Sequence, residues 1–158
     1  MRIMTAQSFV ISPGKRTKSL SVVGEHITVL ASAAQTGSYE IFFQAGPEGS
    51  GPPPHNHPWD EVFYVMRGEV AFGIEDRESL AVEGTLVQLP GGTTHWFRYG
   101  PGGGEMLSMT SSEGASAFFT DVDHNISPEN PDLGKFITIA ESHGLRFPVP
   151  PHQLQDPL

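Results

Sequence analysis

Gly49-Ser50-Gly51-Pro52-Pro53-Pro54-His55-Asn56-His57-Pro58-Trp59-Asp60-Glu61 opens a pattern that runs on to Gly68 and is answered by Gly84, Pro90, Gly92 and His95. Three histidines and a glutamate are a donor set that first-row transition metals accept, and the glycines and prolines stand where strands must turn. Residues two apart on a strand point to one face, so His55 and His57 would project their rings together. Glu61 has the same parity and re-enters the sheet after Pro58-Trp59. A bend at Pro90-Gly91-Gly92 would return the chain so that His95 meets them from a later strand. The spacing predicts a single ion held by His55, His57, Glu61 and His95 on an antiparallel barrel, with coordination positions left open for water, dioxygen or a substrate oxygen. Asp60 is the competing carboxylate, but its parity is opposite to that of His57.

On either side of this pattern, short apolar runs alternate with turn signals in the manner of a sandwich or barrel. The predicted strands are His26–Ala31, Tyr39–Ala45, Glu61–Arg67, Glu69–Glu75, Thr85–Leu89, His95–Tyr99 and Glu105–Thr110. Arg67-Gly68-Glu69 reads as a tight hairpin, with Gly68 supplying a positive φ. The run from Gly46 to Pro54 cannot be a central strand, because its prolines lack ladder donors, and it reads as a semi-rigid approach to His55. Past the last strand, Asn130-Pro131 signals a helix start, and Leu133, Phe136, Ile137 and Ala140 recur at helical spacing up to Gly144. One amphipathic helix is expected over Pro131–His143, with a shorter helical turn around Ala115–Val122. The stretch Phe147-Pro148-Val149-Pro150-Pro151 should be extended, on the surface or against a neighbour. The expected organisation is an N-terminal arm over 1–24, an all-β barrel domain over 25–121, and a C-terminal helix with an extended tail over 122–158.

Composition narrows the chemistry further. The chain of 158 residues is long enough for one well-packed domain. A formal charge of −9 with only nine Lys and Arg argues against nucleic acid or anionic lipid as a partner. There is no cysteine, so any metal must sit on nitrogen and oxygen donors. No apolar run approaches membrane-spanning length and Met1–Val10 lacks a leader-like core, which makes a cytoplasmic protein the expectation. His26, His124, His143 and His152 lie outside the pattern and are not expected to be ligands; His143 suits a helix C-terminus.

The positions from Gly49 to Tyr99 resemble the two signature motifs of the cupin superfamily. The resemblance implies a jelly-roll barrel of antiparallel strands in which His55, His57, Glu61 and His95 hold one divalent transition metal, Fe, Mn, Ni, Cu, Co or Zn. Where the family pattern has an Asn after the last histidine, this chain has Tyr99. The segments Gly51–His57, Glu61–Val65 and Pro90–Phe97, with the helical tail, look most like quercetin-dioxygenase-like monocupins. An acidic chain with open sheet edges and an arm of pairing length would also form a homodimer, as the resemblance implies.

Parity then predicts a pocket. With Glu61 inward, Phe63 and Val65 should line the interior, and with His95 inward, Phe97 and Tyr99 should follow, with Phe72 and Leu86 adding to the wall. A metal floor under an apolar wall suits a small hydrophobic molecule that chelates through oxygen. The leading reading is a metal-dependent dioxygenase acting on an enolic or phenolic, flavonol-like substrate, with Glu61 also taking the substrate's hydroxyl proton. Its alternatives are a non-catalytic metal or small-ligand binding protein and a non-oxidative metal-dependent isomerase or hydrolase.

Overall fold

The computed structural model describes residues 5–148. Antiparallel strands form two sheets. The larger has the order β1-β2-β3-β9-β4-β7, and the smaller the order β6-β5-β8. In chain order the strands are β1 Leu20–Val22, β2 Glu25–Ala31, β3 Tyr39–Gly46, β4 Glu61–Arg67, β5 Val70–Ile74, β6 Arg77–Ala81, β7 Leu86–Leu89, β8 His95–Tyr99 and β9 Gly104–Ser111. Three helices accompany them: α1 Ala33–Thr36, α2 Gly114–Asn125 and α3 Leu133–Ser142. This is the cupin-type jelly roll that the motifs imply, built as two sheets.

Alternation decides which residues meet between the sheets. Phe63 and Val65 of β4, Val70 and Phe72 of β5, Leu89 of β7, Phe97 and Tyr99 of β8 and Met106 of β9 pack into one buried cluster. Residues from both sheets are in it, so it is what holds the sheets face to face. A second cluster joins the far end of the larger sheet to the helices: Val22, Ile27 and Phe42 pack with Trp59, Phe118, Phe119, Val122, Phe136, Ala140 and Leu145. Removing one of these buried aromatic rings would cost about 3–5 kcal/mol through lost transfer energy and the cavity left behind.

Several local expectations change. Arg67-Gly68-Glu69 does not close a hairpin, because β4 pairs with β7 and β9 whereas β5 pairs with β6 and β8. The turn, with Gly68 at φ 81°, instead carries the chain from one sheet to the other. The true hairpin follows, with Ile74 opposite Arg77. Its second strand, β6, went unpredicted because four of its five residues are exposed and it offers no apolar alternation. Leu20–Val22, within the expected arm, forms the edge strand β1 against β2. The short turn foreseen near Ala115 is the 12-residue helix α2, which buries Ala115, Phe118, Phe119 and Val122. Helix α3 starts after Asp132, whose carboxylate caps it by accepting from the Lys135 N–H at 2.9 Å, so the start lies past Pro131. Val149–Pro151 lie outside the described residues, but Phe147 is packed against Phe136 rather than spread on the surface.

Candidate metal centre

Three loops and strands converge to make the site. His95 begins β8, and His55 faces it through a two-way backbone bridge, His55 N–H to His95 O at 3.0 Å and His95 N–H to His55 O at 2.9 Å. Directly opposed residues share a face, which puts the two rings together with centroids 4.3 Å apart. His57 lies beyond the bridge, outside any strand, yet its ring centroid is 5.1 Å from that of His95. It is placed by stacking on Trp59, 4.4 Å away and 10° from parallel, and by its carbonyl, which accepts from the Gly92 N–H at 2.8 Å. The approach segment runs flush along β8: a Cβ on Gly51, whose φ is 142°, would lie 2.0 Å from the Phe97 carbonyl oxygen, so only glycine fits.

Each imidazole is oriented in the same way. His55 Nδ1 donates to Pro53 O at 2.8 Å, His57 Nδ1 to Trp59 O at 3.0 Å and His95 Nδ1 to Thr93 O at 2.9 Å. A carbonyl oxygen only accepts, so all three protons are fixed on Nδ1 and the Nε2 lone pairs point inward, as second-shell carbonyls arrange for metal-binding histidines. One nitrogen from each ring falls within 4.8 Å of the other two, and all three side chains are buried.

Glu61, the first residue of β4, brings a buried carboxylate to the same point. Its Oε2 is 2.8 Å from His57 Nε2 and 3.3 Å from His95 Nε2. His95 Nε2 has no hydrogen-bond partner among the described residues. Burial alone would raise the Glu61 carboxyl, but contact with His57 and His95 outweighs it and holds the group well below the usual carboxylate range. Burial pushes the His55 imidazole down to about 3, with the neighbouring His95 adding to the effect, so it stays neutral. Burial also opposes charge on His95, yet the Glu61 carboxylate raises its affinity for a proton above the ordinary value. With the Nδ1 protons committed elsewhere, the inward Nε2 atoms of His57 and His95 meet the Glu61 carboxylate at close range, an arrangement that calls for a proton or a metal cation between them. This donor chemistry fits a divalent transition metal.

The pocket candidates divide into three groups. Phe63 and Phe97 line a cavity of about 60 Å³ beside the imidazoles, together with Ile27, Trp59, Phe118 and Phe136 among others. Val65, Phe72 and Tyr99 are buried in the cluster between the sheets and do not line that cavity. Leu86 is a correction: it stands opposite Tyr64 on the outward face and is 61% exposed. The inward residues of β7 are Val87 and Leu89, so the expectation for Leu86 was one residue out of register.

Sequence reasoning missed Trp59 as the stacking partner, and it missed Glu25 and Gln44, which line the cavity from β2 and β3. It also missed that the helices close the cavity, although the spacing of Phe136 with Ile137 and Ala140 marked a buried helix face. A second pocket of about 370 Å³ adjoins the first and shares Val23, Pro53 and Phe136 with it.

Residues 42–110 match the family model described as a cupin domain. Acireductone dioxygenase from Parasynechococcus marenigrum is 36% identical over 72 residues, 42% of this chain and 39% of that protein. The chain therefore matches well under half of that curated relative. Among solved structures it resembles KdgF from Halomonas sp., with a TM-score of 0.61 at 18% identity, covering 70% of this chain and 99% of that one. A predicted oxalate decarboxylase from Thermotoga maritima superposes with a TM-score of 0.60 at 18% identity, covering 66% and 99%. The polyketide cyclase RemF from Streptomyces resistomycificus gives 0.58 at 17%, covering 68% and 81%. At such identities these structures speak for the fold alone. No helix among the described residues is long and apolar enough to cross a membrane. The spaced histidines and glutamate and the two-sheet jelly roll agree with the family match, so residues 42–110 form a cupin domain.

Proposed function

We propose that this cupin is a metal-dependent dioxygenase acting on a small molecule that offers an enolic or phenolic oxygen, with His55, His57, Glu61 and His95 holding the ion. The observation that carries this reading is the clustering of His55, His57 and His95, with the Glu61 carboxylate against the Nε2 atoms of His57 and His95, at one end of an apolar cavity. The partial match to acireductone dioxygenase supports oxygen chemistry as the reaction class. A bound redox-capable divalent metal would supply Lewis acidity and a meeting point for a substrate oxygen and dioxygen.

The rest falls to the protein. Glu61, placed beside His57 and His95, is the carboxylate that can take the hydroxyl proton of an arriving enol, so that an electron-rich anion is presented for oxidation. Trp59, Phe63 and Phe97 exclude water around that anion. The inner cavity, at about 60 Å³, takes only a compact chelating head, and the adjoining 370 Å³ pocket has room for an attached apolar body. A flavonol would have to place its aryl ring in the outer pocket, which gives smaller enols the advantage.

The test is anaerobic loading of purified protein with Fe, Mn, Co, Ni or Cu in turn, addition of a panel of flavonols, small enols and hydroxypyrones, and measurement of oxygen uptake on aeration. Uptake stoichiometric with one substrate class is expected. Absence of uptake with every metal and every enol would overturn the oxygenase reading and leave non-oxidative chemistry or ligand binding.

A further inference from the structure

The inward face of β3 carries Glu40, Phe42 and Gln44, two polar residues where a sandwich interior would ordinarily be apolar. Glu40 has structural partners: it accepts from the Ser116 N–H at 2.9 Å, from the Ser116 hydroxyl, and from the Ala33 N–H at 3.1 Å. Gln44 differs. It is 3% exposed and lines the inner cavity, and its Oε1 has no hydrogen-bond partner among the described residues. Leaving a buried amide oxygen unpaired costs about 1–3 kcal/mol, which an apolar side chain of the same size would avoid.

Glu25 stands close by. Ile27, two residues along β2, pairs directly with Gln44, and Glu25 lines the same cavity at 4% exposure. The Tyr99 hydroxyl donates to Glu25 Oε1 at 2.9 Å, which orients the carboxyl and leaves its other oxygen for a ligand. The pair lies away from the imidazoles: Gln44 is opposite Met106, and Met106 is opposite Val65, two inward rows along β4 from Glu61. Two rows are about 13 Å of strand before the side chains reach back across the cavity.

We propose that Glu25 and Gln44 form a second recognition point of the cavity, which receives a hydroxyl group carried by the substrate at the end opposite its chelating oxygens. A hydroxyl suits both partners, since it can donate to Gln44 Oε1 and accept from Glu25. Burial, reinforced by the Glu61 charge, pushes the Glu25 carboxyl up to about 8 against the opposing effect of Tyr99, so at neutral pH it carries the proton needed to donate. This inference rests on the chelating substrate proposed above and specifies its other end.

The experiment uses Co(II)-loaded full-length protein and a compact probe pair that differs by one distal hydroxyl, kojic acid with allomaltol. Binding is read by calorimetry and by the visible cobalt spectrum, without turnover. Kojic acid, the hydroxylated member, should bind about tenfold tighter than allomaltol, the worth of one hydrogen bond to a buried group. Gln44→Met should abolish that preference, and parental far-UV circular dichroism and a parental cobalt spectrum without probe show that the variant is folded. Glu25→Gln should keep the preference, because a carboxamide also donates and accepts, and Glu25→Met should reduce it. Equal binding of the two probes, or a preference that survives Gln44→Met and Glu25→Met, overturns the recognition point alone. Failure of every probe to perturb the cobalt spectrum overturns the chelating reading, and the recognition point with it.

Discussion

Asn56, the residue between two of the histidines, exchanges both backbone hydrogen bonds with Arg146, each at 2.9 Å. The chain beyond α3 is thereby stitched to the loop that carries His55 and His57, and its neighbours Leu145 and Phe147 line the inner cavity. The tail contributes to the site although it carries none of the histidines that form it. Arg146→Pro removes one of these donors and leaves the Asn56 carbonyl unpaired, so it should weaken metal affinity about tenfold and lower Tm by about 2–4 °C. Competition with a chromophoric chelator and a thermal melt would check both.

Ligand removal separates the centre from the fold. His95→Ala or His57→Ala should reduce bound metal to well below stoichiometric, read by elemental analysis, while far-UV circular dichroism remains that of the parent. Stoichiometric metal in His95→Ala would exclude that residue from the centre. Glu61→Gln should retain the loop geometry but bind metal at least tenfold more weakly, because a carboxamide brings no negative charge to the ion.

The buried Glu25 makes stability depend on pH. Its folded-state pKa of about 8 lies above the ordinary value of 4.5, so between these limits the folded protein binds the proton and the unfolded chain does not. Stability from this group is therefore fully present below about pH 4.5 and is lost as pH rises through about 8, a change on the order of 5 kcal/mol. Wild type should melt lower at pH 8.5 than at pH 6, and Glu25→Gln should flatten that difference. Tyr99→Phe removes the donor to Glu25 and should steepen it.

Outward residues of the larger sheet suggest how copies could associate. Phe43, Leu107, Tyr64 and Leu86 lie side by side in register across four neighbouring strands, and Tyr64 and Leu86 are 43% and 61% exposed. An apolar row on an exposed sheet face is typical of an interface. If the expected homodimer uses it, Tyr64→Glu with Leu86→Glu should give a monomer in sedimentation velocity without loss of bound metal. In contrast, Leu86→Ala should alter unfolding free energy by no more than about 0.5 kcal/mol, and Phe63→Ala should cost about 3–5 kcal/mol.

Much of the centre was legible in advance because its logic is local. His55 and Glu61 face inward through strand pairing or parity, His95 faces His55 across two backbone hydrogen bonds, and the glycines sit where chain approaches chain. Parity failed at Leu86 for a definable reason: a strand's inward set depends on its register with a partner, and β7 takes its register from β4. The β4–β5 connection misled for a related reason, since a tight turn with glycine serves a hairpin and a change of sheet equally well.

By itself the sequence picked out His55, His57, Glu61 and His95, limited any metal site to oxygen and nitrogen donors, and indicated the antiparallel class and a helical tail. These follow from residue chemistry and from periodicities of a few residues. Tertiary structure alone decided that Nδ1 of each histidine is tied to a carbonyl, that Trp59 stacks on His57, and that Arg146 holds Asn56. It also decided that Glu25 and Gln44 share a cavity with the imidazoles. The histidine and Trp59 contacts span only two residues but need an irregular loop conformation that the surrounding fold imposes. Arg146 and the cavity lining, in contrast, come from far along the chain and are brought there only by the packing of the sheets and helices.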